Sequence, residues 1–369
     1  MSHPHAHRLD PERPTLRAEL RDAVAPRTVA LVVAVLLLQL GFVLSYVGAF
    51  HHPVPRDVAV TVVGPTQQVA DQAATALNGI SGTPLEATAT TDAAAARADL
   101  TDDATSAVLV ISPTSTQDQL LVTTAGGAAT ATAVQTVLTQ AEATQGRTLA
   151  VQDVLPAASG DSRGLSGFYL VTGWVVGGYL LAALLGVARG SRPATLRRAL
   201  IRLGVVLPYA VVSGIGGALV VGPVLGALPD DAGTFWGFAG TGALVVVAAA
   251  AVTMALQVLA GTVGIGLAVL LFVVLGNPSA GGAYPPALLP PFWSWLSGVL
   301  PNGAAVDAVR RIAYFDGADV AQRLLVVAAW AVVGAVVALV AARWHQLRAD
   351  GRALSPRAPR GASAADPAA

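Results

Sequence analysis

Apolar residues in this chain gather into six runs of uneven spacing. One run lies near the N-terminus, from about Thr28 to Phe50. A long polar stretch follows. Then Leu165–Ala188, Ala199–Leu225, Phe235–Ala260 and Gly261–Gly276 crowd together, and a last run spans Leu324–Ala342. A helix needs ~20 apolar residues to cross ~30 Å of hydrocarbon. Most of the runs meet that length, and Gly261–Gly276 is marginal. The pattern predicts a polytopic α-helical membrane protein with six transmembrane helices, one isolated and five grouped. Ten-residue alternating strands are missing from these runs, which excludes a membrane β-barrel.

Between the first two runs, from His51 to about Arg163, the periodicity changes. Asp57–Val63 is rich in β-branched residues and reads as a strand. Pro65–Leu77 places Val69, Ala73 and Leu77 on one helical face. A second strand is expected at Leu85–Thr91 and a short helix at Asp92–Asp103. Ser106–Ser112 reads as a buried strand pairing across a short turn with Gln119–Thr124. A helix over Ala128–Gln145, with Val134, Leu138 and Ala141 inward, and a strand at Leu149–Val154 complete the series. Alternating strands and helices over this length predict one small α/β domain. The expected organisation is a tail at 1–27, a first span at 28–50 and an inserted α/β domain at 51–163. A five-helix bundle at 164–345, with an external segment at 277–322, precedes a disordered tail at 346–369.

Arginine placement orients these parts, since cytoplasmic flanks carry the basic excess. Arg8, Arg13, Arg17, Arg21 and Arg27 precede the first run. Arg189, Arg192, Arg197 and Arg198 follow the second, and Arg343, Arg348, Arg352, Arg357 and Arg360 follow the last. Six spans put all three groups on one face, the cytoplasmic one. The acidic insert (Asp57, Asp71, Asp99, Asp102, Asp103, Asp153, Asp161) and the loop with Asp230 and Asp231 then lie outside. Arg310 and Arg311 are the exception, partly offset by Asp307 and Asp316. Val47 and Ala49 form a weak signal-cleavage site, but the apolar run exceeds the usual 7–15 residues, so an uncleaved anchor is expected. Ahead of it, Leu16, Leu20 and Val24 recur at helical spacing, as in an interfacial amphipathic helix, although a disordered tail reads equally well.

Composition narrows the chemistry. Hydrophobic residues make up 54% and charged residues 12%, and the net charge is zero, so nothing points to nucleic acid. Cysteine is absent, which removes disulfides and thiol chemistry. Lysine is also absent, so no normal phosphate-binding P-loop is present. The insert carries no catalytic cluster, and no cofactor is implied. His51 and His52 at the membrane exit read as interfacial residues, and His3, His5 and His7 as part of a polar tail rather than metal ligands. The middles of the apolar runs hold no Asp, Glu, Lys, Arg or His; their polar content is Gln39, Ser213, Thr241, Thr253 and Gln257. Intramembrane carboxylates mark proton relays, so proton antiport is disfavoured, while sodium coupling at a broken helix stays open. Gly173 and Gly177 form a GxxxG pair, read first as close helix packing. Pro208 should kink the third span.

The segment GNPSAGGAYPPALLPPFWSWLSGVLPNGAAVDAVRRIAYFDGAD (276–319) is the most distinctive. Its prolines and glycines interrupt any long helix. A short helix is expected after Pro290 and Pro291, with Phe292, Trp293 and Trp295 at the aromatic belt. A second is expected at Ala304–Tyr314, with Asn302 as a cap. The hairpin, including Asn277, Pro285 and Pro286, reads as a re-entrant element or an external lid.

With its one-plus-five layout, its external insert, this proline-rich segment and the DSRGLSGFYLVTGWVVGGYLLAALLG stretch, the chain resembles the ABC type-2 transporter permease superfamily, in particular the phage-infection-protein-like membrane proteins. The resemblance covers most of residues 28–345. It implies a homo- or heterodimeric membrane part and a separate ATP-binding subunit on the cytoplasmic face. The family's coupling helix corresponds to Ala188–Arg202, so Arg189, Arg192, Arg197, Arg198 and Arg202 would contact the ATPase or anionic lipid headgroups. Ordinary cytoplasmic anchoring accounts for those arginines equally well. Two functions follow as expectations. One is an export permease for a hydrophobic or amphipathic compound. The other is a non-transporting surface protein whose external domain binds a ligand, envelope component or phage. Neither is an enzyme.

Overall fold

A computed structural model describes residues 26–189 and 195–353. The N-terminal amphipathic segment with Leu16, Leu20 and Val24, the tail histidines, Arg192 and residues 354–369 lie outside the described residues.

The inserted domain is built on a five-stranded sheet of order β2-β1-β3-β4-β5. Its strands are β1 (Val58–Val63), β2 (Leu85–Thr90), β3 (Ala107–Val110), β4 (Gln117–Val122) and β5 (Thr148–Asp153). β1 runs parallel to β2 and β3, β3 is antiparallel to β4, and β4 is parallel to β5. Alternation decides what each face buries. Val58, Val60, Val62, Leu109, Leu120 and Val122 share one core with Leu77 of α2 (Gln67–Asn78) and with Val134 and Leu138 of α4 (Thr124–Thr144). (The helix that precedes this domain, Pro26–Phe50, is α1.) Val63, Val108 and Leu121 face the opposite way, onto Ala96 and Leu100 of α3 (Ala93–Thr101). Leu109, Leu120 and Leu138 are fully buried, each contributing roughly 1.5–3 kcal/mol over an exposed position. Thr66 caps α2, and the Asp92 carboxylate accepts from the Ala94 and Ala95 amides to start α3. α4 begins four residues earlier than its apolar spacing indicates. Gly127, at φ 144°, bends its first turn and thereby lets Pro285 approach; a Cβ there would meet Pro285 Cγ at 2.9 Å.

Among the described residues, five helices are long and apolar enough to cross a membrane. Their apolar spans are Thr28–Phe50, Ser166–Ala188, Leu196–Val224, Ala232–Ala260 and Val320–Asp350. They belong to α1 (Pro26–Phe50), α5 (Ser166–Arg189), α6 (Leu196–Leu219), α7 (Ala232–Ala260) and α11 (Val320–Ala353). The chain is thus a polytopic membrane protein by helix length and composition. The expected sixth span is shorter. α8 (Val263–Val269) runs directly into a π-helical turn, Leu270–Gly276, and ends at Ser279. At ~1.5 Å per residue it reaches about 25 Å, less than the ~30 Å hydrocarbon core. α6 likewise continues as a π turn, Val220–Val224, containing Pro223. One further boundary differs from expectation. The last helix extends through Ala353, so residues 346–353 are helical rather than part of a disordered tail. Its aromatic Trp344 is covered by Arg348, 3.6 Å above the ring.

α7 is the axis of the bundle, packed against α5, α6 and α11. The crossings occur at glycines that admit a neighbouring backbone. A Cβ on Gly214 would lie 2.2 Å from Ala239 O, and one on Gly178 would lie 2.7 Å from Val246 O. The GxxxG pair itself does not make the close crossing: Gly173 faces open space and Gly177 faces the Tyr209 hydroxyl. Trp174 fills the centre, buried between Gly217 and Gly242, and donates to Ser213 O at 3.0 Å.

α1 stands at the periphery and touches the α8 π turn and Asn277–Ser279. Leu196 N donates to Gln346 Oε1 at 3.1 Å, so the start of α6 and the end of α11 share one end of the bundle. The α/β domain sits at the other.

Candidate functional site

The proline-rich segment folds as a short 3₁₀ turn (Pro286–Leu288), then α9 (Pro291–Val299) and α10 (Pro301–Tyr314), joined at Leu300. The prolines open each helix where an N–H has no helical partner. α10 is sheathed by α5, α7 and α11, and most of its residues are buried.

Asn302 does not cap it; the extended residue at its start is Leu300, and Asn302 lies one residue inside the helix. Its Nδ2 instead donates to Phe272 O and to Asn277 Oδ1, both at 3.1 Å. The π turn explains this placement. It displaces backbone carbonyls from helical pairing, and in hydrocarbon such groups must be satisfied locally. Ser45 of α1 donates to Val274 O, and Ser279 Oγ donates to Leu275 O and Gly276 O. Asn302 Oδ1 is left without a donor and rests against Gly276, where a Cβ would lie 2.6 Å away.

The other expected residues divide by exposure. Phe292 and Trp295 are exposed on α9, while Trp293 turns inward toward Gly48 of α1. Pro285 abuts Gly127 of the domain, and Pro286 opens the 3₁₀ turn. Arg56 ties the domain's leading strand to this turn, donating to Leu289 O at 3.0 Å from its side chain and to Ala287 O at 2.9 Å from its amide. At the far end, Arg197 and Arg198 are exposed in the first turn of α6, Arg202 is half-buried one turn on, and Arg189 closes α5. Thr195 caps α6 through the Arg198 amide.

A charged junction that the sequence does not disclose joins domain to bundle. Arg311 is buried at the end of α10. It donates to Asp103 Oδ2 at 2.9 Å, to Asp307 Oδ2 at 3.3 Å and to Ala318 O at 3.1 Å. Arg323 of α11 brings its Nε to 2.7 Å from Asp307, off the hydrogen-bonding direction. Asp316, expected to offset the arginine pair, makes no ion pair among the described residues; Asp103 takes that place from 208 positions away. Burial holds the Asp103 carboxyl above its ordinary value despite the Arg311 charge beside it.

Beneath the domain, this junction borders a cavity of about 480 Å³. Its domain wall includes Asp57, Thr105 and Gly127, and its bundle wall includes Ser294, Ser297 and Arg310. Among the described residues no group of His, Cys, Asp and Glu has metal-binding geometry.

A second buried charge cluster lies within the domain. Arg147 grips Asp118 with two nitrogens, Nε to Oδ2 being 2.6 Å. Glu142 lies beside them, its Oε2 3.6 Å from Arg147 Nε and without a hydrogen bond. Burial, and then the Asp118 charge, push the Glu142 carboxyl up to about 7. Asp118 moves the other way, below its ordinary value, because its hydrogen bonds to Arg147 and Ser112 outweigh its burial.

Comparison with protein-family models, curated proteins and solved structures returned no match.

Proposed function

We propose that the chain is the membrane subunit of an ABC-type exporter that moves a hydrophobic or amphipathic compound with energy from a separate ATPase. The observation that carries the reading is the fold of the external segment. α9 and α10 turn back against the shortened α8 and the bundle core instead of hanging free. Counted with α8 as a sixth, short crossing, this gives the one-plus-five arrangement that the resemblance to type-2 permeases implies. In this reading α9–α10 is a re-entrant pair, the α/β domain is extracytoplasmic, and both termini are cytoplasmic in the cell membrane. The exposed Arg197 and Arg198 and the half-buried Arg202 form the face toward the ATPase or anionic headgroups, and Arg189 and Arg192 belong to the same group in the sequence. The apolar interior favours external energy over proton coupling, because no span middle carries Asp, Glu, Lys, Arg or His. A dimer with a second copy or a homologue would complete the path.

The test is a mild-detergent pull-down of the tagged chain from its native membrane. A co-purifying ATPase whose turnover rises in the complex supports the exporter. Recovery of the chain alone under several detergents favours the other reading, a non-transporting surface protein. The cavity under the external domain is the observation on that side.

A further inference from the structure

The cavity between domain and bundle contains a cation that the charged junction leaves without an ion pair. Arg311 and Arg323 are committed to Asp103 and Asp307. Arg310, the next residue back on α10, lines the same cavity and is half-buried. It donates a single hydrogen bond, to Gly281 O at 3.2 Å, and among the described residues no carboxylate lies within ion-pair reach of it. A guanidinium has five donors and cannot shed its charge, so partial burial with one acceptor is costly unless another anion arrives. Asp57, Asp103 and Asp307 also border the cavity: Asp57 is exposed and screened by water, and Asp103, whose charge reaches Arg310 at a distance, is with Asp307 already paired by Arg311 and Arg323.

The wall opposite the domain sets the depth of this cation. α9 turns Ser294 and Ser297 into the cavity while its other face exposes Phe292 and Trp295. Exposed aromatic side chains of this kind settle at the headgroup level of a bilayer. The cavity therefore lies just behind the headgroup zone, with hydroxyls and a guanidinium inside and hydrocarbon alongside.

We propose that this cavity binds the anionic head of an amphiphile, a phosphate or carboxylate carried on an alkyl chain, with Arg310 as its charged partner and Ser294 and Ser297 as supporting donors. Arg–phosphate and Arg–carboxylate contacts are charge-assisted and geometrically matched. The head has room in 480 Å³, and the chain leaves along α9 into lipid. The site stands apart from the exporter reading, because binding to the purified chain requires no ATPase.

The test is calorimetric titration of the full chain, in uncharged maltoside micelles, with dodecyl phosphate and separately with inorganic phosphate. One saturable dodecyl phosphate site per chain is expected, weakened roughly tenfold or more by Arg310→Gln and abolished by Ser294→Phe, which fills the cavity without touching a charge. Inorganic phosphate should bind much more weakly. Native mass spectrometry of the membrane-extracted protein separates the sources. A retained anionic phospholipid, lost in either variant, marks a bilayer ligand; a site that is empty until dodecyl phosphate is added marks a delivered compound. Either result upholds the site. Absence of saturable binding overturns it, as does unchanged affinity in Ser294→Phe. Equal affinity for inorganic phosphate overturns the amphiphile.

Discussion

α1 and α7 are both long, apolar helices without a charge in their middle, yet they occupy opposite surroundings. Most of α7 is buried, whereas α1 exposes Leu31, Val32, Val35, Leu36, Leu37 and Leu40 along its flank. Hydrophobicity cannot explain the difference, because lipid tails are as apolar as leucine. Helices in a bilayer associate where small side chains let backbones approach. α7 offers Gly242, Ala248, Ala249, Ala250, Ala251 and Thr253 on successive faces; the outer flank of α1 is a wall of Val and Leu. Its links to the bundle are confined to its last turns: Ser45 to Val274 O, Gly48 against Trp293 and Phe50 against Tyr284.

The largest effect that tests this contrast is expected at the α6–α7 crossing. Gly214→Leu places a side chain against the Ala239 backbone, which has no flexible end to yield. A loss of about 3 kcal/mol or more is expected, seen as aggregation on size exclusion or a large fall in Tm. A near-normal Tm would mean that α6 and α7 do not cross as closely as described.

Next in size is the junction between domain and bundle. Arg311→Met leaves Asp103 and Asp307 facing each other, Asp103 with no hydrogen-bonded arginine and only the more distant charges of Arg310 and Arg323, and a buried pair broken on one side costs about 3–5 kcal/mol. Protease cutting near Gly126 or Pro285 should rise while the bundle stays folded, and adding Asp103→Asn should recover part of the loss. If the double variant is no better than the single, the two residues are not coupled.

These two sites differ in how far the sequence discloses them. The strands of the domain were legible because Val58, Val60 and Val62 alternate and Asp92 announces a helix start. The long spans were legible from length alone. The pairing of Arg311 with Asp103 was not, since the partners belong to separate domains and carry no local pattern. Asn302 read as a cap because its spacing fits one. Its actual partners, Phe272 O and Asn277, exist only because α8 unwinds into a π turn, and no single residue type marks such a turn. The close crossing falls at Gly178 rather than at the more familiar Gly173–Gly177 spacing beside it, a choice that hydropathy cannot rank.

A smaller effect is confined to the domain and leaves both helices untouched. Glu142 has a folded-state pKa of about 7, above its ordinary 4.5, through burial and the Asp118 charge. A raised carboxyl pKa means the folded state holds the proton more tightly. Its contribution is complete below pH 4.5 and is lost as pH rises through about 7. Asp118 is shifted downward, so its contribution is lost only as pH falls below its ordinary range. Between pH 5.5 and 8.5 the domain transition in the full chain should therefore fall as pH rises, and Glu142→Gln should flatten that slope. An identical slope in the variant would place the titration elsewhere.

The smallest effect is expected on α1, where the contrast is sharpest. Leu36→Ala and Leu37→Ala remove bulk from a flank that meets no other helix among the described residues, so each should change Tm by no more than an exposed substitution does, within about 0.5 kcal/mol. Ser45→Ala on the inner face should cost more than either, because Val274 O then has no donor in hydrocarbon. Inverting that order would show that the flank is covered in the membrane. The Leu effects would then depend on protein concentration if the cover is a second copy of the chain. They would follow detergent or lipid chain length if α1 is held by the bilayer alone.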